Sequence, residues 1–179
     1  MSLRLVFQPG IGNSEREHWQ SIWARSFPDA VWVEQQDWDH PVREAWVAKL
    51  TATVRATPGQ KVLVAHSLGG LVVAEAAPAL NDGTVLGAFL VSVPDVTAPA
   101  FPLAATGFRP AEACALPFPS VLVASTDDPY GSVDHAQRVA HRWGSQLVQV
   151  AAAGHINARS GLGEWAEGRR LLESFVATL

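Results

Sequence analysis

Short apolar runs alternate along this chain with stretches in which apolar residues recur at helical spacing. Three runs, at residues 62–65, 86–93 and 120–124, are almost entirely apolar, which is typical of strands buried on both faces of a parallel sheet. Together with shorter or more mixed runs, the pattern predicts six strands, at residues 3–8, 31–34, 62–65, 86–93, 120–124 and 146–150.

Helical patterns occupy the segments between and after these strands. In the first, which Ser14 is expected to cap, Trp19, Ile22, Trp23 and Phe27 fall on one helical face. The remaining helices are predicted at residues 41–57, from Leu68 to about Pro78, and at residues 133–143 and 163–179.

This alternation predicts the fold class. Parallel strands need crossover connections, and right-handed crossovers place helices on both faces of a sheet. We therefore expect an α/β protein with about six mostly parallel strands in a doubly wound, three-layer sandwich, forming one domain over residues 1–179. The exception is the proline-rich segment 96–119, which carries Phe101, Phe108 and Phe118. It is predicted to be an irregular excursion at the carboxyl ends of the strands, with no large lid domain.

Composition narrows the classes of function. Apolar residues make up 48% of the chain, charged residues 17%, and the net charge is −4. No clustered Lys/Arg surface is evident, so neither nucleic-acid binding nor a membrane-surface role is expected.

The single cysteine, Cys114, excludes an internal disulfide. Residues 62–80 reach membrane-spanning length, but they hold His66, Glu75 and Pro78 and are predicted to be a strand and a buried helix. The N-terminus lacks the long apolar region of a signal peptide, and a cytoplasmic location is expected.

The strongest chemical signal is Ala65-His66-Ser67-Leu68-Gly69, at the junction of an apolar strand and a helix. A serine hydroxyl is a weak nucleophile unless a sharp turn exposes it beside a base. Such a turn demands small residues two positions before and after the serine, which Ala65 and Gly69 provide. The helix start also directs the N–H of Leu68 toward a developing oxyanion. We therefore predict Ser67 as a nucleophile.

The predicted base and acid lie downstream, in the chain order Ser, Asp, His. His155 follows the strand at 146–150, and Asp128 follows the strand at 120–124, so both lie at the edge where Ser67 is expected. Asp128 is preferred as the acid because Pro129 stiffens the backbone after it, but Asp127 and Asp95 stay open. His66 is predicted to be a packed or hydrogen-bonded residue, since neighbouring side chains diverge along a strand.

Further candidates concern the substrate. The loop at residues 9–12 brings backbone close to the serine turn, and the N–H of Ile11 is predicted as the second oxyanion donor. Trp38, Phe101 and Phe108 are candidate substrate contacts. No metal site is predicted, because the acids around His40 have no second histidine at ligand spacing.

On these residues the sequence resembles the retinoblastoma-binding-protein-9 and YdeN-like group of small serine hydrolases. The resemblance implies an α/β-hydrolase fold without a lid and a triad of Ser67, Asp128 and His155. Two positions depart from the general hydrolase pattern: Ala65, which this group tolerates, and Pro9-Gly10, where many hydrolases carry His-Gly. The matching segments are Pro9-Gly10 with Trp19, residues 36–46, residues 65–70, residues 125–130, and residues 154–158 with Ser160, Gly161 and Trp165.

The expected function is therefore hydrolysis of a small ester, thioester or amide through an acyl-serine intermediate, in the manner of a carboxylesterase. Neither a metal ion nor an organic cofactor is expected, and the expected partner is a small-molecule substrate. The alternative is a protein-binding module of the same fold whose hydrolase site is secondary or vestigial.

Overall fold

A parallel sheet forms the centre of the molecule. The computed structural model describes residues 3–110 and 115–179, and within them six strands pair in the order β2-β1-β3-β4-β5-β6, every pair parallel. The predicted, mostly parallel sheet is confirmed. The strands are β1 (Arg4–Gln8), β2 (Val31–Trp32), β3 (Lys61–His66), β4 (Val85–Val91), β5 (Ser120–Ser125) and β6 (Gln146–Val150).

Helices cover both faces of this sheet. They are α1 (Trp19–Ser26), α2 (Arg43–Ala56), α3 (Leu68–Ala76), α4 (Val133–Trp143) and α5 (Ala166–Val176), with short 3₁₀ helices at Ala77–Leu80 and Ala158–Ser160. Successive side chains of a strand point to opposite faces. Val6 accordingly belongs to the apolar core on the face that carries α2, α3 and α4, whereas Leu5 and Phe7 belong to the core on the face of α1 and α5. The result is the predicted doubly wound, three-layer sandwich.

Several boundaries differ from the predictions, and two of these differences have a clear physical reason. The first helix begins at Trp19 and is capped by His18, whose Nδ1 accepts the N–H of Gln20 at 3.1 Å. The expectation that Ser14 caps this helix is wrong, because its hydroxyl instead donates to Oε1 of Gln20. The fourth strand ends at Val91 rather than residue 93, since Ser92 has a φ of 53° and turns the chain out of the sheet.

The segment predicted to be irregular has no strand or helix in its described part, residues 96–110 and 115–119. A single bridge between Thr106 and Val42 ties it to the region before α2. Cys114 lies outside the described residues. In the described parts of the chain, no helix combines the length and apolar character that crossing a bilayer requires.

Candidate active site

Ser67 occupies a strained turn between β3 and α3. Its φ of 54° and ψ of −127° lie outside the usual regions for a residue with a side chain, a conformation that costs about 1–3 kcal/mol. The turn is held because the N–H of Ser67 donates to the carbonyl of Val91 at 2.8 Å, and the N–H of Gly70 donates to the carbonyl of Ser67. The strand-to-helix junction therefore fixes the direction of the serine hydroxyl.

Close backbone approach explains the small residues around this turn. A Cβ on Gly69 would contact the carbonyl of Gln8 and lie 2.7 Å from the carbonyl of Pro9. A Cβ on Gly10 would lie 2.9 Å from the Cβ of Ser67. The loop after β1 and the serine turn can therefore pack this closely only because Gly10 and Gly69 have no side chains.

The structure brings Ser67, His155 and Asp128 together. Nε2 of His155 lies 2.8 Å from Oγ of Ser67, and Nδ1 lies 2.9 Å from each carboxylate oxygen of Asp128. Because a carboxylate can only accept, Nδ1 carries the proton and Nε2 accepts the serine hydroxyl. The Asp128 side chain is only 3% exposed, and its Oδ1 also accepts the N–H of Tyr130.

The two alternative acids lie elsewhere. Asp95 pairs with Nδ1 of His135 at 3.4 Å and accepts from Thr97. Asp127 faces the backbone before His155, and hydrogen bonds from Ser125 and from the N–H of Gly154 lower the pKa of its carboxyl. Of the three candidates, only Asp128 reaches the imidazole.

The loop before His155 is fastened by side chains that follow β5. This arrangement was not predicted from the sequence. The run of polar residues after β5 is the pattern that could have indicated it. Three consecutive N–H groups, those of Ala152, Ala153 and Gly154, donate to the side chains of Thr126, Ser125 and Asp127 at 3.0, 2.9 and 2.7 Å.

His66 is a buried, hydrogen-bonded residue, as predicted. Its Nε2 donates to the carbonyl of His155 at 2.9 Å, and the two rings are 5.0 Å apart. Burial holds the pKa of His66 well below its usual value, so the ring is neutral. It therefore joins the end of β3 to the loop that carries His155.

A cavity of about 270 Å³ opens over Ser67. The two predicted oxyanion donors, Ile11 and Leu68, line it, as does Phe101, a predicted substrate contact. The structure does not bring Trp38 or Phe108 into this lining, which corrects the expectation for both. Trp38 packs edge-on against Trp46, with ring centroids 5.5 Å apart, and its carbonyl accepts the N–H of Gly12. Phe108 packs against the core on the α2 side.

Several cavity residues escaped sequence analysis. They are polar residues that tertiary packing gathers from distant segments: Asn13, Glu15, His18, Tyr130, Asn157 and Arg159. The Tyr130 ring lies 4.6 Å from that of His155. No local pattern identifies such residues, except that Tyr130 lies two positions after Asp128.

Two backbone N–H groups at the cavity are available to a ligand. Among the hydrogen bonds between described residues, none uses the N–H of Ile11. Leu68 is the first residue of α3, and its N–H therefore has no acceptor within the helix. Within residues 3–110 and 115–179, no three His, Cys, Asp or Glu side chains are grouped so that they could hold a metal ion.

Comparisons with known proteins identify the family to which the chain belongs. The family described as "Serine hydrolase" matches residues 5–174. A YdeN-like hydrolase from Pectobacterium atrosepticum is 31% identical, with 97% of this chain and 90% of that chain covered and a TM-score of 0.85. Among curated proteins, none matches the chain.

More distant structures share the fold alone. The ydeN gene product of Bacillus subtilis is 19% identical, with 99% of this chain and 100% of that chain covered and a TM-score of 0.77. Alpha/beta hydrolase domain-containing protein 10 from mouse is 16% identical, with 98% and 88% covered and a TM-score of 0.70. From the family match and the 31% identity, the chain belongs to the YdeN-like serine hydrolases of the α/β-hydrolase superfamily.

Proposed function

We propose that this hydrolase cleaves a small ester, thioester or amide through an acyl intermediate on Ser67. The observation that carries the proposal is the unbroken hydrogen-bond chain from Asp128 through His155 to Oγ of Ser67. An aligned acid, base and hydroxyl of this kind activates a serine that would otherwise be a poor nucleophile.

The first half of the reaction forms the acyl-serine. Oγ of Ser67 attacks the substrate carbonyl while its proton passes to Nε2 of His155, and Asp128 stabilises the resulting imidazolium. The N–H groups of Leu68 and Ile11 stabilise the oxyanion of the tetrahedral intermediate. The bond to the leaving group then breaks, and the leaving oxygen, sulfur or nitrogen takes the proton from Nε2.

The second half reverses these roles with water. Nε2 takes a proton from the attacking water, a second tetrahedral intermediate forms, and the bond between Oγ and the acyl carbon breaks. The proton returns to Ser67, and a carboxylic acid is released. Asp128 keeps its charge throughout, because its function is to hold the tautomer of His155.

The cavity supports a small-molecule substrate. A volume of about 270 Å³ holds a short acyl group with its leaving group, and it is too small for a folded protein partner to enter. Leu68, Pro94, Phe101 and Pro102 give one part of the lining an apolar character that suits a hydrocarbon acyl group.

A fluorophosphonate probe tests the proposal, because it phosphonylates only an activated serine. Wild type is expected to label, and Ser67→Ala and His155→Ala are expected not to. The matched control is Ser92→Ala, since Ser92 is also buried with a positive φ of 53° but has no histidine partner. Absence of labelling in wild type would overturn the proposal and favour the protein-binding alternative. Labelling that survives Ser67→Ala would overturn the assignment of the nucleophile.

A further inference from the structure

Two residues that line the cavity each carry a buried polar atom for which the described residues 3–110 and 115–179 provide no hydrogen-bond partner. They are Nε2 of His18 and Oδ1 of Asn13, and both residues line the cavity over Ser67. Buried polar atoms in folded proteins are nearly always paired, and an unpaired one requires a specific explanation. A pair of them in residues of one cavity, beside the proposed nucleophile, can be paired by a polar group of a bound substrate.

The hydrogen-bonding role of His18 follows from its place at the start of α1. Its Nδ1 accepts the N–H of Gln20 at 3.1 Å, so Nδ1 holds the lone pair and Nε2 carries the proton. The residue is 3% exposed, and burial together with the nearby His155 lowers its pKa to about 4. At neutral pH, His18 is therefore an uncharged donor with a fixed tautomer.

Asn13 supplies a hydrogen-bond acceptor, whereas His18 supplies a donor. It has a φ of 65°, a left-handed conformation that asparagine tolerates better than most residues. Its N–H donates to the carbonyl of Gly10 at 3.2 Å, which closes the turn that contains Ile11. The amide oxygen is thus an acceptor held on the same turn as the proposed oxyanion donor.

We propose that His18 and Asn13 form a polar subsite for an uncharged substrate group that both accepts and donates hydrogen bonds, such as a carboxamide. The carbonyl of that group would accept from Nε2 of His18, and its N–H would donate to Oδ1 of Asn13. Since His18 is neutral, a carboxylate in this position would gain no ion pair from it. The inference rests on the proposed function, because it assigns the substrate class of the same site.

Two pairs of alkyl esters with matched shape test the subsite. In the first, 2-amino-2-oxoethyl butanoate is compared with isobutyl butanoate, so that the carboxamide is on the leaving alcohol. In the second, propyl succinamate is compared with propyl 4-methylpentanoate, so that the carboxamide is on the acyl group. Wild type is expected to prefer the carboxamide member of one pair by at least about tenfold in kcat/KM, because a hydrocarbon leaves the buried polar atoms unpaired.

Variants of His18 and Asn13 remove the polar atoms of the subsite while keeping the local backbone structure. His18→Asn keeps a side-chain acceptor at the start of α1, since asparagine is a preferred capping residue, but it removes Nε2. Asn13→Gly keeps the left-handed backbone and removes Oδ1, whereas Asn13→Asp keeps an acceptor oxygen. His18→Asn and Asn13→Gly are expected to lose the carboxamide preference, because kcat/KM falls further on the carboxamide ester than on its hydrocarbon partner. Thermal denaturation checks that each variant is folded.

The outcomes distinguish the inference from the proposed function. If wild type hydrolyses none of the four esters and does not label with fluorophosphonate, the proposed function fails. If it hydrolyses both members of each pair equally, the subsite is wrong and the hydrolase proposal stands. An equal loss on all four esters in a folded His18→Asn variant would also overturn the subsite, because His18 would then act on the triad geometry.

Discussion

The carboxylate of Asp127 accepts a hydrogen bond of 2.7 Å from the N–H of Gly154, the residue directly before His155. Its neighbour Asp128 binds the imidazole of His155 itself. Two consecutive aspartates therefore divide one task between them: one holds the backbone of the loop, and the other holds the ring.

This division predicts different effects for the two residues. Asp127→Ala is expected to lower kcat by roughly tenfold with little change in KM, because a small displacement of the base weakens proton transfer more than substrate binding. Asp127→Asn keeps an oxygen that can accept from Ser125 and Gly154 and should recover most of the activity. Steady-state kinetics on a p-nitrophenyl ester measure both. Equal kcat values for Asp127→Ala and wild type would show that the loop needs no such support.

Replacement of the proposed acid should be far more damaging. Asp128→Asn removes the carboxylate that fixes the tautomer of His155, and kcat is expected to fall by roughly 10³–10⁴-fold. The matched control is Asp95→Asn, since Asp95 also pairs with a histidine, His135, but lies outside the cavity lining. That variant should stay within about threefold of wild type. A smaller loss for Asp128→Asn than for Asp95→Asn would transfer the role of acid to Asp95.

Gly69→Ala tests the contact between the serine turn and the loop after β1. The added methyl would contact two backbone carbonyls, those of Gln8 and Pro9, which cannot rotate away. We expect a loss of about 1–3 kcal/mol in the free energy of unfolding, with a loss of activity. Gly83→Ala is the control, because Gly83 has a φ of 78° but open space around it. Urea denaturation measures the free energy of unfolding of both variants. Gly69→Ala reports the contact with the backbone carbonyls, and Gly83→Ala reports the effect of a side chain at positive φ without such a contact.

The buried histidines predict a loss of stability in acid. The pKa of His18 is lowered from 6.5 to about 4, so below pH 6.5 the unfolded chain takes up a proton that the folded chain does not. Its contribution to the free energy of unfolding is complete above pH 6.5 and is lost as the pH falls toward 4, by roughly 3 kcal/mol. His66, whose pKa is lowered in the same direction by burial, adds to this effect.

Urea denaturation between pH 7.5 and pH 4 measures that loss. His18→Asn should flatten the curve over this interval, because one of the buried histidines with a lowered pKa is removed. An unchanged pH dependence in the variant would mean that His18 titrates alike in the folded and unfolded chains.

Features that depend on residues adjacent in the chain could be predicted from the sequence, whereas features that depend on tertiary packing could not. The serine turn was predictable because strand, small residues and helix are adjacent in the chain. The choice between Asp127 and Asp128 was harder, since neighbouring side chains diverge and only the fold decides which one meets His155. Ser14 was a reasonable helix cap by residue type, yet tertiary packing gives that position to His18. Trp38 is apolar and in a loop, but its ring packs edge-on against the buried Trp46, and no pattern within the loop indicates this.

The bond from His66 to the carbonyl of His155 has a mechanical consequence. His66 directly precedes the proposed nucleophile in the chain, and its side chain anchors the residue that carries the proposed base. The hydrogen bond therefore attaches the loop that bears His155 to the end of a fully buried central strand. Serine and imidazole share this one support, which restrains movement of the imidazole away from the serine.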